Sequence, residues 1–149
     1  MCDALKALYG HHGYDFIHLK NLVAHNAEDT FWADAFKRFG GTFIISGDCK
    51  IAYKPHEAIA FIENGLVSVF PSENWAKFKL HEKAVLLVYH WPAIADLFKT
   101  AEKGTNWRLN LKGDRENISL KPAEFTRLEI PTHVLEEARA RRNEKRAFP

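Results

Sequence analysis

Apolar residues recur at helical spacing over residues 2–9, where Ala4, Leu5, Ala7 and Leu8 share a face and Gly10 follows as a C-cap. Tyr14-Asp15-Phe16-Ile17-His18-Leu19 then predicts a short strand. Residues 26–28 are polar and open a helix that continues from Thr30 to Phe39, with Phe31, Ala35 and Phe39 on one face and Gly40-Gly41 as its stop. Thr42-Phe43-Ile44-Ile45-Ser46 is a continuous β-branched and aromatic run. Its lack of alternation predicts a central strand buried on both faces of a parallel sheet. Gly47-Asp48 follows directly. Pro55 suits the first position of a helix with Glu57 in its first turn, Ala58, Ile59, Phe61 and Ile62 as its apolar face and Asn64-Gly65 as its end. Leu66 to Phe70 predicts a further strand, stopped by Pro71.

Residues 1–70 therefore read helix, strand, helix, strand, helix, strand. That alternation implies right-handed crossovers and an α/β fold, mostly parallel, with helices flanking the sheet. In the second half, Trp75 to Thr100 is helical in pattern, with a break or fresh start at Trp91-Pro92. Trp107 to Leu111 and Ile118 to Leu120 are predicted to pair as a hairpin across Lys112-Gly113-Asp114, and Phe125 to Ile130 forms a further strand. Val134 to Lys145 favours helix, its last residues solvated. A length of 149 residues fits one domain, with residues 1–72 as an α/β core and 73–149 as a helical and small β extension ending in a basic tail.

Composition changes this picture little. A hydrophobic fraction of 46% and a charged fraction of 27% are ordinary for a globular chain. Cys2 and Cys49 do not make a disulfide framework, and cytosolic thiols are the simpler reading. The longest apolar run, Ala84 to Tyr89, is core-sized, so no membrane span is expected. Met1 to Gly10 lacks the features of a secretory signal, and the expected location is cytoplasmic. A net charge of +2 names no partner. Arg139, Arg141, Arg142, Lys145 and Arg146 nevertheless crowd the tail, where they either follow a nucleic-acid backbone or form a solvated helix end.

Chemistry concentrates at two strand-to-helix passages. Asp29 is expected at a helix start and Asp48 just past the carboxyl end of a buried strand, so both belong to one edge of a parallel sheet. Carboxylates gathered there suit a hard divalent cation such as Mg²⁺, held by one or two carboxylates with waters and substrate phosphates. The plainer alternative is that Asp29 complements a helix dipole and Asp48 is a turn residue.

Glu28-Asp29-Thr30-Phe31-Trp32, Ile44-Ile45-Ser46-Gly47-Asp48-Cys49-Lys50-Ile51, Lys54-Pro55-His56-Glu57-Ala58-Ile59-Ala60-Phe61 and Gly65-Leu66-Val67-Ser68-Val69-Phe70 together resemble PIN-like domains, the small nuclease domains of VapC-type toxins and their relatives. The resemblance spans roughly residues 3–70. It implies a Mg²⁺- or Mn²⁺-dependent endoribonuclease acting as the toxin of a toxin–antitoxin pair, with an RNA substrate, an antitoxin protein and a homodimer as partners. By motif, Asp29 and Asp48 match the family's catalytic and metal-holding acids, with Glu28 as a supplement. The family's first acid ends an N-terminal strand, and this sequence is expected to begin after that strand. The second acid often found two residues past the Asp48 position is Lys50 here. A catalytically inactive PIN-like binding or regulatory module is the alternative.

Other residues carry weaker signals. His56 and Glu57 either assist at the site or serve as surface residue and helix cap. Lys50 is a candidate phosphate contact, as are His56, Arg141 and Arg142 for nucleic acid, each set against a solvated side chain. His11, His12, His18 and His25 match no standard zinc spacing. Cys49 lacks the partners of a nucleophile. Trp75, Phe78, Tyr89, Trp91 and Trp107 either stack bases or, at helical spacing, fill the core.

Overall fold

The computed structural model describes residues 1–24, 27, 29–48, 50, 54–111 and 120–147, with Asp29, Thr30, Lys145 and Arg146 described by backbone alone. In chain order the elements are α1 (Cys2–Tyr9), α2 (Asp29–Arg38), β1 (Phe43–Ile45), α3 (Pro55–Glu63), β2 (Val67–Pro71), α4 (Leu80–Thr100), β3 (Asn106–Asn110), β4 (Glu124–Leu128) and α5 (Thr132–Ala147), with short 3₁₀ turns at Gly10–His12, Leu19–Asn21 and Glu73–Lys77. The sheet runs β1-β2-β3-β4. β1, β2 and β3 are parallel, and β4 closes the far side antiparallel to β3.

The two faces of the sheet follow the alternation of side chains along each strand. Val67, Val69 and Leu109 point to one face and pack with Leu86, Trp91, Ile94 and Phe98 of α4 and Leu5 of α1. Ile44, Leu66 and Phe70 point to the other and pack with Trp32 and Ala33 of α2 and Ala60 and Phe61 of α3. α5 lies outside α3, with Ala138 buried. Pro55 opens α3 at its first turn, and Gly65 at φ +64 follows its end in the left-handed region that favours glycine.

Several expectations are corrected. Residues 14–18 form no strand. Tyr14 and Phe16 instead pack edge-on against Trp91, with ring centroids 5.2 and 4.8 Å away, so their apolar surface fills a gap over α4 rather than joining a ladder. β1 is the edge strand, not the central one. β2 is buried at every position, whereas β1 is exposed at Phe43, buried at Ile44 and half-buried at Ile45. A continuous apolar run arises at this edge because helices cover both faces there. Phe43 stacks on Phe98 of α4 at 4.4 Å while Ile44 serves the opposite face.

The expected break at Pro92 is absent, and α4 runs through it. A proline has no N–H to donate to the carbonyl four residues earlier, here that of Val88. The Tyr9 hydroxyl of α1 donates to that oxygen at 3.1 Å instead. The helical pattern from Trp75 is interrupted at Phe78-Lys79, where the Glu82 carboxylate caps the Lys79 N–H. The hairpin is also reassigned. β3 pairs with β2 on one side and with Glu124–Leu128 on the other. Residues 112–119 lie outside the described residues. Finally, the tail helix is not solvated throughout. The Arg142 side chain is only 10% exposed and bridges α2 and α3 through Asp34 at 2.9 Å and Glu63 at 2.7 Å.

Candidate functional site

Three parallel strands deliver their carboxyl ends to one rim of the sheet: Ser46-Gly47-Asp48 after β1, Ser72 after β2 and Leu111 after β3. The ends of β2 and β3 are tied together, because the Ser72 N–H donates to the Leu109 carbonyl at 2.9 Å and the Leu111 N–H donates to the Ser72 hydroxyl at 3.2 Å. The loop after β1 leads into the N-terminus of α3 at the same rim. α2 runs beside α3 in step with it, since Trp32 meets Phe61 at 5.1 Å and the Asn64 amide donates to Asp34 at 2.7 Å. By that register α2 begins at Asp29 level with Ala58 and Ile59, about one turn past the start of α3 at Pro55. The topology brings the α2 start, the Asp48 loop and the α3 start to one side of the sheet.

Asp48 is exposed and locally fixed. Its N–H donates to the Ser46 hydroxyl at 3.3 Å, and its Oδ1 accepts the Lys50 N–H at 2.9 Å. This is the side-chain-to-backbone turn that aspartate favours. Lys50 is exposed beside it. Gly47 admits the loop past Trp75, because a Cβ there would stand 2.7 Å from the indole nitrogen.

Glu57 is more than the helix-end acid anticipated from its position. Its side chain is 9% exposed, and Oε1 accepts from the Lys54 ammonium at 2.8 Å, with His56 Nε2 3.6 Å away. Oε2 is buried without a hydrogen-bond partner. Buried carboxylate oxygens are normally satisfied, so this orphan marks a position with acceptor capacity in reserve. Sequence reasoning missed Lys54, for which only its spacing of three from Glu57 offered a signal.

The remaining candidates divide. His56 is exposed and shares a shallow groove between α3 and α5 with Pro55, Val134, Glu137, Ala138 and Arg141. Arg142 is drawn into its ion pairs with Asp34, midway along α2, and Glu63, at the C-terminal end of α3. Of the aromatics, Trp75, Phe78 and Trp91 are buried, Trp107 is half-buried, and the exposed Tyr89 donates its hydroxyl to the Leu120 carbonyl at 2.7 Å. Glu28 and Cys49 lie outside the described residues, and Asp29 is placed by its backbone. Among the described residues no group of three or more His, Cys, Asp or Glu side chains is clustered to hold an ion.

The chain-order pattern of a helix-start acid, a strand ending in Ser-Gly-Asp and a Pro-His-Glu helix start, folded onto one rim, is what a comparison with known families can test. Residues 1–73 match the family model of the PIN like domain. No curated protein and no solved structure matches. The PIN-like match runs from α1 through β2 and includes Asp29, Asp48 and Glu57, while α4, β3, β4 and α5 lie beyond it. The mixed α/β sheet with flanking helices is consistent with a PIN-like domain. Among the described residues no helix is long and apolar enough to cross a membrane.

Proposed function

We propose that the chain is a divalent-metal-dependent endoribonuclease acting as the toxin of a toxin–antitoxin pair. The observation that carries this reading is Asp48. An exposed carboxylate is held by its own turn at the carboxyl rim of a parallel sheet, inside a PIN-like match. Ligands of such sheets bind beyond the carboxyl ends of the strands.

The donor chemistry fits a hard cation. Asp48 offers a carboxylate oxygen beyond the one that accepts from Lys50, and Glu57 has an orphaned one. Carboxylate oxygens suit hard cations such as Mg²⁺ or Mn²⁺. Asp29 and Asp48, supplemented by Glu28, would hold the ion. Such an ion, when bound, supplies Lewis acidity and a water of lowered pKa for phosphodiester hydrolysis. The chain's own contribution is to orient. The Lys50 N–H fixes the Asp48 carboxylate and Lys54 fixes that of Glu57, while the exposed Lys50, two residues past Asp48, is the proposed phosphate contact.

The test uses the purified full chain and a labelled single-stranded RNA. Cleavage that requires Mg²⁺ or Mn²⁺, stops with EDTA and is lost in Asp48→Asn supports the proposal. Cleavage that survives both EDTA and that substitution refutes it. RNA binding without cleavage at saturating metal identifies the non-catalytic module instead. Growth arrest on expression, relieved by Asp48→Asn, tests the toxin assignment.

A further inference from the structure

The segment just past the family match, from the 3₁₀ turn into α4, returns to the same rim. Trp75 is buried, 6% exposed, with its indole nitrogen packed on Gly47, the residue before Asp48. On the ring of that tryptophan rests the ammonium of Lys83, 5.6 Å from the centroid. Lys83 is half-buried, and among the described residues no carboxylate stands within ion-pairing distance of it. Its chain neighbour Glu82 is committed to capping the Lys79 N–H. A charge laid along an aromatic face keeps a fixed position while leaving its donors for a ligand. Gly47, Trp75 and Lys83 thus form a stack that joins the Asp48 loop to a cation one residue layer away.

We infer that Lys83, positioned on Trp75, contacts a phosphate of the RNA strand whose cleavage is assigned to the Asp48 rim. This inference rests on the ribonuclease reading for the identity of the substrate. The part of the chain outside the family match then supplies substrate binding, and the matched part supplies the acids. Lysine contacts to phosphate add salt-dependent affinity without sequence preference.

The experiment measures binding of a labelled single-stranded RNA to the full chain in EDTA across a salt series, then cleavage kinetics with Mn²⁺. Lys83→Gln is expected to weaken RNA binding about fivefold at low salt and to reduce the slope of log affinity against log salt by about 0.7, the share of one phosphate on a single strand. In cleavage, the loss falls on KM rather than kcat. Lys83→Arg, whose guanidinium also stacks on indole, restores both affinity and slope. Lys6→Gln on α1 removes the same charge from another surface and leaves the affinity unchanged. Wild-type affinity and slope in Lys83→Gln overturn the inference even if the protein cleaves RNA. A wild-type chain that binds RNA through Lys83 but never cleaves it refutes the nuclease reading and supports this one. A chain that binds no RNA overturns both.

Discussion

The contact between Tyr9 and Val88 gives a quantitative prediction, because it stands where a proline has removed a helical hydrogen bond. In α4 the Val88 carbonyl would accept from the N–H of residue 92, and Pro92 has none. The Tyr9 hydroxyl fills the vacancy at 3.1 Å. Tyr9→Phe keeps the ring and its contact with Trp91 at 6.0 Å but withdraws the donor. A hydrogen bond contributes about 0.5–1.5 kcal/mol net, and a partly buried carbonyl left unpaired costs about 1–3 kcal/mol. The expected loss is about 1–2 kcal/mol, read in urea denaturation as a fall in midpoint of roughly 0.5–1 M at an unchanged slope. The decisive measurement is a double-mutant cycle. In a Pro92→Ala background the alanine N–H can serve Val88, so Tyr9→Phe should then cost less than about 0.5 kcal/mol. An equal cost in both backgrounds would refute the substitution of one donor for another.

Three other outcomes are expected. Asp48→Asn should abolish metal-dependent RNA cleavage while leaving the thermal midpoint within about 2 °C of wild type, since the residue is exposed; a large fall in midpoint would assign it a structural role. Phe70→Ala in central β2, 1% exposed, should cost about 3–5 kcal/mol, whereas Ile45→Ala on half-buried edge strand β1 should cost under about 2 kcal/mol; denaturation midpoints in the reverse order would contradict the strand order. His90 in α4 is buried, and desolvation lowers its pKa from the ordinary 6.5. The unfolded chain therefore takes up a proton as pH falls below about 6.5 before the folded chain does, so stability contributed by the neutral ring is intact above that pH and declines below it. Urea titrations between pH 7.5 and 5.5 should show a shallower decline in His90→Gln, and identical slopes would exclude this origin.

The elements legible in the sequence were those whose boundaries have local causes. Pro55 and Gly65 bracket α3, Gly40-Gly41 follows α2, and the apolar runs at Phe43–Ile45 and Val67–Pro71 are strands. What escaped were relations between distant segments. An apolar run cannot say whether its strand is central or at an edge when helices cover both faces, and so β1 was misplaced. The aromatic run at Tyr14 has strand composition, yet its rings are used by Trp91. Pro92 reads locally as a break, and the group that satisfies the carbonyl it frees is Tyr9, 79 residues from Val88. The candidate site shows the same division. Asp48 was visible as an acid at a strand end, because its turn is local. Trp75 was visible only as an aromatic that either stacks bases or fills the core. Gly47 signals a close neighbour, but nothing in the sequence names the indole that is that neighbour.

Because β3 joins the sheet alongside β2, the stretch that carries the family match is not a detachable unit. Cutting after residue 73 would bare the whole flank of β2, where every side chain is apolar or small and none carries a charge. Unpaired strands of this kind seek other chains. Expressed alone, the fragment should be found in inclusion bodies, whereas a nick between β2 and α4 would leave the β2–β3 ladder holding the two pieces together.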